Sequence, residues 1–310
     1  MKTVLITGAT GFCGWHLIQR LRKEGDVRIV GFSLDTNHIV ASLCDEYIQA
    51  DICDFNAVQT IVQRSKPDIV FHLAGIPQGD TISIYHINFT GSMYLLESLR
   101  LLQPDARILL VGSAAEYGPV EPSDSPITED HPCNPVGPYG VSKYAMTLSG
   151  LDFARCYGME VAIARPFNII GPGISPALLV GAILSRAKQA IEAGGDLVVK
   201  VGNVHTQRDF IAVEDAVEAY LQIINGEHWG EVFNVCSGRA YAISSIITQL
   251  LANAAQPLRW EVDPALVRET DTKVSYGSFK KIEKTYGFKP VMTLEDSLRA
   301  AWHFAIDGKR

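Results

Sequence analysis

Val4-Leu5-Ile6-Thr7-Gly8-Ala9-Thr10-Gly11-Phe12-Cys13-Gly14 opens the chain. A short apolar strand runs into a turn with three glycines spaced by three, and a helical apolar pattern follows from Trp15 to about Lys23. Val27 to Phe32 reads as the next strand, so the stretch predicts a strand, turn, helix and strand in succession. A diphosphate needs such a turn. One glycine allows the sharp bend, one lets the backbone approach the phosphate oxygens, and one lets helix and strand pack closely. The helix N-terminus adds N–H groups and a partial positive charge. Gly8, Gly11 and Gly14 are therefore predicted to bind a dinucleotide; an ordinary glycine-rich loop is the alternative.

Outward from this turn the pattern repeats. Tyr47–Ala50, Asp68–Leu73, Arg107–Val111 and Val161–Ala164 read as strands. Asp54 is placed to cap a helix with an apolar face of Phe55, Val58, Ile61 and Val62. Ile84–Leu102 reads as one long apolar helix, residues 121–138 as a Pro-rich acidic surface loop, and Tyr139–Tyr157 as a helix. Strands alternating with helices over this length predict an α/β fold with a doubly wound parallel Rossmann-type sheet. Ligands of such sheets bind beyond the carboxyl ends of the strands. Past Arg165 the regularity loosens into a smaller C-terminal lobe. Helices are expected at 178–193, 214–224, 243–252, 278–286 and 294–304, with strands at 198–202 and 231–235.

The chain has 310 residues, 47% of them apolar, and a net charge of −7. That length accommodates two domains or a domain with a lobe. There is no basic block, so nucleic acid and anionic membranes are not expected partners. The first apolar run is too short for a signal peptide, and no stretch reaches the ~18 apolar residues of a membrane span. Six scattered cysteines without a C-x-x-C pair predict reduced thiols in the cytoplasm. Eight histidines without H-E-x-x-H spacing predict no metal site.

Tyr139 and Lys143 lie four residues apart on one predicted helix face. An ammonium near a phenol favours the phenolate and brings its pKa from ~10 toward neutrality, which suits an acid/base tuned by a lysine. A chance surface pair is the bland reading of that spacing.

The order of motifs resembles the extended short-chain dehydrogenase/reductase family. The matching pieces are Gly8-x-x-Gly11-x-x-Gly14, Asp51-Ile52, His72-Leu73-Ala74-Gly75, Asn88, Ser113, Tyr139-x-x-x-Lys143 and Arg165-Pro166-Phe167-Asn168. The resemblance implies that Ser113 hydrogen-bonds the reacting oxygen, Tyr139 is the acid/base, and Lys143 also holds the nicotinamide ribose. It implies cofactor contacts at Gly8, Gly11, Phe12, Gly14, Ser33, Asp51, Ile52, Leu73, Ala74, Gly75, Asn88 and Pro166. For Asn88 a purely structural role is the alternative, and His72 reads as a core residue of its strand.

The second half is similar to the reductases of GDP-4-keto-6-deoxy-D-mannose that make GDP-D-rhamnose, through residues 165–173, Val201-Gly202-Asn203, Arg208-Asp209-Phe210, residues 232–238 and Asp263-Pro264 followed by Arg268. This implies a nucleotide-diphosphate sugar, GDP-linked, near Ser113, Ala115, Glu116, Asn168, Gly202, Arg208, Arg268 and Asp271. A guanidinium grips phosphate oxygens in forked geometry, which points to Arg208 first. The implied division is residues 1–165 plus about 205–235 for the dinucleotide and about 166–204 plus 236–310 for the sugar nucleotide. A homodimer through the 84–102 and 139–157 helices is also implied.

Two departures sharpen the reading. A 4,6-dehydratase needs a carboxylate two residues before the Tyr-Gly at 117–118, to move the C5 proton. This chain has Ala115 there, unless a shifted loop offers Glu116. And the strand ending Gly31-Phe32-Ser33-Leu34 lacks the acid that bonds the ribose of NAD, so NADP(H) is favoured, with NAD(H) the alternative. The reading is a 4-ketoreductase. Its rivals are a nucleotide-sugar 4-epimerase with tightly held NAD and, more remotely, a non-catalytic sensor on the same fold.

Overall fold

The computed structural model describes residues 1–194, 198–267 and 272–308. The first half runs β1 (Lys2–Thr7), α1 (Phe12–Glu24), β2 (Val27–Ser33), α2 (His38–Leu43), β3 (Glu46–Gln49), α3 (Phe55–Ser65), β4 (Ile69–His72), α4 (Thr81–Tyr85), α5 (Gly91–Leu102), β5 (Arg107–Val111), α6 (Gly137–Tyr157) and β6 (Val161–Pro166). The second runs β7 (Asn168–Ile170), α7 (Leu179–Ala193), β8 (Val198–Val201), β9 (Gln207–Arg208), β10 (Phe210–Ala212), α8 (Val213–Asn225), β11 (Glu231–Val235), β12 (Tyr241–Ala242), α9 (Ile243–Leu251), β13 (Arg259–Val262), β14 (Val274–Ser275), α10 (Lys280–Tyr286) and α11 (Leu294–Ala305).

Seven parallel strands form the central sheet in the order β11-β6-β5-β4-β1-β2-β3. The chain winds outward from β1 to β3, then returns beside β1 and winds the other way. The loops after β1 and β4 diverge at that reversal and leave a crevice at the carboxyl edge. Both faces of the sheet are covered, which is why β4 and β5 are nearly continuous apolar runs. Leu17, Leu21, Tyr220 and Ile224 of α1 and α8 fill one face. Val58, Leu95, Leu99, Met146 and Phe153 of α3, α5 and α6 fill the other. A third core, with Ile183 and Leu184 of α7, Ile246 and Leu250 of α9, and Leu298 and Trp302 of α11, forms the smaller lobe. No described helix is long and apolar enough to cross a membrane.

Three boundaries differ from the linear reading. The helix expected at 84–102 starts at Thr81, where Asp80 Oδ1 accepts from the Ser83 N–H at 3.0 Å. It widens into a π turn over His86–Thr90 before α5. Such a turn inserts an extra residue into a helix without any local composition signal, and it commonly marks a functional position; here it carries Asn88. α6 begins at Gly137 because Pro138 suits a helix's first turn, where its missing N–H costs nothing. Finally, the expected lobe of residues 236–310 is divided. Ile282 and Phe288, in and just after α10, pack into the core on the α1 and α8 side of the sheet.

Candidate active site

The glycine turn is shaped by close contacts. Gly8 has φ +67°, and a Cβ there would lie 2.7 Å from the Ala74 nitrogen. A Cβ on Gly14 would lie 2.4 Å from the Gly8 carbonyl oxygen. Neither position admits a side chain, so the loops after β1 and β4 touch through backbone alone. Gly11 is the extended N-cap of α1 and supplies no side-chain cap. The N–H groups of the first turn are left for a ligand, and the turn therefore fits a diphosphate. At the end of β2 the Ser33 hydroxyl accepts from the Thr10 N–H at 3.1 Å. Asp51 closes its own turn by accepting from Cys53 N–H at 2.9 Å, and the buried Ile52 packs on Gly91.

A cavity of about 440 Å³ opens over the crevice. Ser113, Ala115, Tyr139 and Lys143 form one wall, Phe12 and Leu73 the base, and Pro166, Asn168 and Arg208 the side toward the lobe. A second cavity of about 580 Å³ shares Pro77, Asn168, Leu178, Leu179 and Arg208 with the first and runs on to Gly202 and Asn203. The two make one channel from the sheet edge into the lobe, with Arg208 on the shared wall. Arg208 Nη1 donates to the carbonyls of Thr272 at 2.6 Å and Gln207 at 2.9 Å. Asn168 Nδ2 donates to the Asp209 carbonyl at 2.7 Å. Arg268 and Asp271 lie outside the described residues.

Within the cavity wall Lys143 is nearly enclosed and donates from Nζ to the Val111 carbonyl at 2.8 Å. Burial pulls its pKa down to about 8, against the raising influence of Glu116. The Tyr139 phenol behaves differently from the expectation. Burial raises it above its ordinary value, and the influence that opposes burial is a hydrogen bond with the Ser113 side chain. The physical reason is that the lysine ammonium is anchored on the Val111 carbonyl, so the desolvation of the phenol outweighs the one influence that lowers its pKa.

The sequence profile of the NAD dependent epimerase/dehydratase family matches residues 4–236. The chain belongs to this family. Among curated relatives, the GDP-6-deoxy-D-mannose reductase of Pseudomonas aeruginosa is 35% identical over 96% of this chain and 95% of its own length. A UDP-glucose 4-epimerase of Lactobacillus helveticus is 28% identical, with 96% of each chain covered. Among solved structures, RMD from Pseudomonas aeruginosa complexed with NADPH superposes with a TM-score of 0.85 and 28% identity, covering 100% of both chains.

Glu116, expected to reach substrate, does not. It is fully buried, with Oε1 accepting from the Ser113 N–H at 2.8 Å. Its Oε2 accepts from Arg165 Nε at 3.0 Å and Nη2 at 2.7 Å. Ala115, not Glu116, faces the cavity. The short 3₁₀ turn at 114–116 leaves Ala114 and Ala115 on the cavity and carries Glu116 away from it, so the carboxylate folds back toward the end of β5.

Three groups escaped the linear reading of this family member. Besides the Glu116–Arg165 pair, Asp209 is fully buried and accepts from Ser237 N–H and Oγ, Gly238 N–H and Gly277 N–H. A third network joins β1 to the π turn. His72 Nδ1 lies 2.7 Å from Thr7 Oγ1, and Nε2 lies 2.8 Å from Ser92 Oγ. Ser92 gives its proton to the Asn88 carbonyl at 2.6 Å, so it accepts from His72 Nε2–H, and Nδ1 accepts from Thr7. Asn88 then holds the loop after β4. Its Oδ1 accepts from Ile76 N–H at 2.8 Å, and its Nδ2 donates to Ile76 O and Ser142 Oγ. Their only linear signal is polar residues at strand ends and on apolar helices.

This arrangement gives a pH prediction. Burial holds the His72 imidazole far below its ordinary 6.5, at about 3. As pH falls below 6.5 the unfolded chain binds a proton that the folded one refuses. Stability should therefore drop by ~1.4 kcal/mol per unit below 6.5, with no contribution above it. In denaturant titrations at pH 7 and pH 5, the wild type should lose ~2 kcal/mol more than His72→Gln. Equal losses would mean that His72 is charged in the fold.

Proposed function

We propose that the chain is an NAD(P)H-dependent reductase of the C4 ketone of a nucleotide-linked 4-keto-6-deoxy sugar, converting GDP-4-keto-6-deoxy-D-mannose to GDP-D-rhamnose. One observation carries the reading. Ser113, Tyr139 and Lys143 line one cavity together with Ala115, where a dehydratase requires an acid. A reduced nicotinamide, when bound, supplies hydride. The protein's own residues must then manage the oxygen at C4. Ser113 donates a hydrogen bond to it as charge develops, and Tyr139, protonated at neutral pH, delivers the proton. Lys143 stays cationic near neutral pH and holds the ribose beside Gly75, where a Cβ would lie 3.2 Å from its ammonium. The GDP-linked substrate is supported by the similarity to the Pseudomonas aeruginosa reductase.

NADP(H) remains the favoured cofactor. Ser33, with the Thr10 N–H beside it, ends β2 where an acid would select NAD. A homodimer through α5 and α6 is part of the proposal, and Leu101, Leu148 and Tyr157 are exposed on those helices. We place the enzyme in the cytoplasm, since its six cysteines are free.

The test is an absorbance assay at fixed NADPH with the GDP-, UDP-, dTDP- and CDP-linked 4-keto-6-deoxy sugars. Stoichiometric NADPH loss, fastest with the GDP sugar, is expected. Interconversion of C4 epimers with no added cofactor would establish the 4-epimerase instead, an activity carried by the Lactobacillus helveticus relative. Binding without turnover of any of them would leave the sensor. Arg208→Ala should raise KM for the sugar nucleotide by a factor corresponding to ~2 kcal/mol, through loss of charge-assisted bonds to phosphate. An unchanged KM would remove Arg208 from the diphosphate site.

A further inference from the structure

The buried pair behind Ser113 has no part in the chemistry above, yet it is hydrogen-bonded to the Ser113 backbone. Glu116 sits between two partners. One oxygen takes the Ser113 N–H at 2.8 Å, the other the Arg165 fork at 2.7 and 3.0 Å. Arg165 in turn lies over the Tyr117 ring at 4.6 Å, and the Tyr117 hydroxyl donates to Asn234 Oδ1 at 2.7 Å. Space is reserved for the carboxylate. A Cβ on Gly112 would fall 2.2 Å from Glu116 Oε1. Only glycine at that point allows the side chain to fold back beneath the catalytic loop.

A buried pair contributes little net stability over an apolar replacement, because desolvating both ions offsets their attraction. Its retention here has a better account in the field that it makes. We propose that Glu116 is the positioning residue of this site: one carboxylate oxygen fixes the Ser113 backbone, Arg165 orients the other, and the carboxylate lies against Gly112, next in the chain to the Val111 carbonyl on which the Lys143 ammonium is anchored. The inference rests on the roles of Ser113, Tyr139 and Lys143 given above.

The groups facing Lys143 are few. Glu116 approaches from the turn after β5 and raises its pKa, as does Cys13 from α1 to a smaller extent. The neutral His72 lies on β4, Asn88 on the π turn, and the Val111 carbonyl on β5. Burial raises the Glu116 carboxyl above its ordinary value, opposed by Arg165 from β6, the Ser113 N–H and Thr147 from α6, with the Arg165 fork favouring the carboxylate. The Cys133 thiol and the Tyr139 phenol also feel its charge. Among these, Glu116 is the largest influence opposing burial of the lysine.

The experiment uses the full chain and two variants. Glu116→Gln keeps the shape and an acceptor for the Ser113 N–H but removes the charge, and Glu116→Gln with Arg165→Met removes both charges so that no guanidinium is stranded. NADPH affinity is measured from pH 6 to 10 by fluorescence, and kcat/KM over the same range with the best sugar nucleotide. In the wild type both should fall as Lys143 deprotonates near its value of about 8. In both variants that limb should move to lower pH by about one unit, with about tenfold weaker activity at pH 8.5. A wild-type profile in Glu116→Gln overturns the proposal. So does a wild-type profile in the double variant, which would mean that the pair acts only as packing, and so does a wild-type NADPH affinity that is flat across pH 8. If no sugar nucleotide is turned over, the proposed reaction fails, but the affinity profile still decides the role of Glu116.

Discussion

Tyr139→Phe should lower turnover by ~10²-fold or more while NADPH binding stays near the wild-type value. The substitution keeps the ring, so the cavity wall shared with Ser113 and Lys143 keeps its shape. It deletes the proton that the proposed reduction takes from Tyr139. Because burial raises the phenol above its ordinary value, the wild-type acid stays protonated through neutral pH, which is the form a reduction consumes. The residual rate of the variant should depend little on Tyr139 ionisation, since water must replace it. Single-turnover measurements at saturating NADPH separate this from a binding defect. Near-normal turnover would end the acid/base role of Tyr139.

The second large effect concerns a residue away from the reacting atoms. Asp209→Ala should destabilise the protein by ~3–5 kcal/mol in denaturant titrations, because buried donors left without an acceptor cost ~1–3 kcal/mol each. The carboxylate takes three backbone N–H groups, from Ser237, Gly238 and Gly277, and one hydroxyl. These tie β10 to the loop after β11 and to the segment following β14. Arg208 precedes Asp209, and the Asn168 side chain donates to the Asp209 backbone, so the channel wall should loosen too. KM for the sugar nucleotide is expected to rise in the folded fraction. A loss below ~1 kcal/mol would show that water or a neighbouring carbonyl relieves the freed donors.

Much of the fold was legible because it follows from periodicity. The apolar runs of β1, β4, β5 and β6 and the glycines at 8, 11 and 14 have one compact solution, a parallel sheet with a crevice at its reversal point. The widened turn at Asn88 was not legible, since one extra residue per helical turn changes no composition. Nor was the attachment of α10 to the sheet, because its apolar residues would suit either core. For the site, spacing pointed to Tyr139 and Lys143 and the family resemblance to Ser113, and the structure brings the three to one cavity. The direction of the Tyr139 shift was not legible, because spacing reports neither burial nor where an ammonium is anchored.

Glu116 shows where the boundary lies. Its place beside Ala115 is linear information, and that alone argues against dehydration, because alanine cannot move a proton. Whether Glu116 supplies the missing acid depends on which way its side chain turns. Order along the chain dictates the sheet and the glycine turn and singles out the Tyr139–Lys143 pair, since these need only short-range pattern and local backbone geometry. The closed fold alone decides that Glu116 faces Arg165 instead of substrate and that Arg208 lies on the wall joining the two cavities. Those outcomes depend on contacts between residues about 50 or more positions apart, which no local pattern encodes.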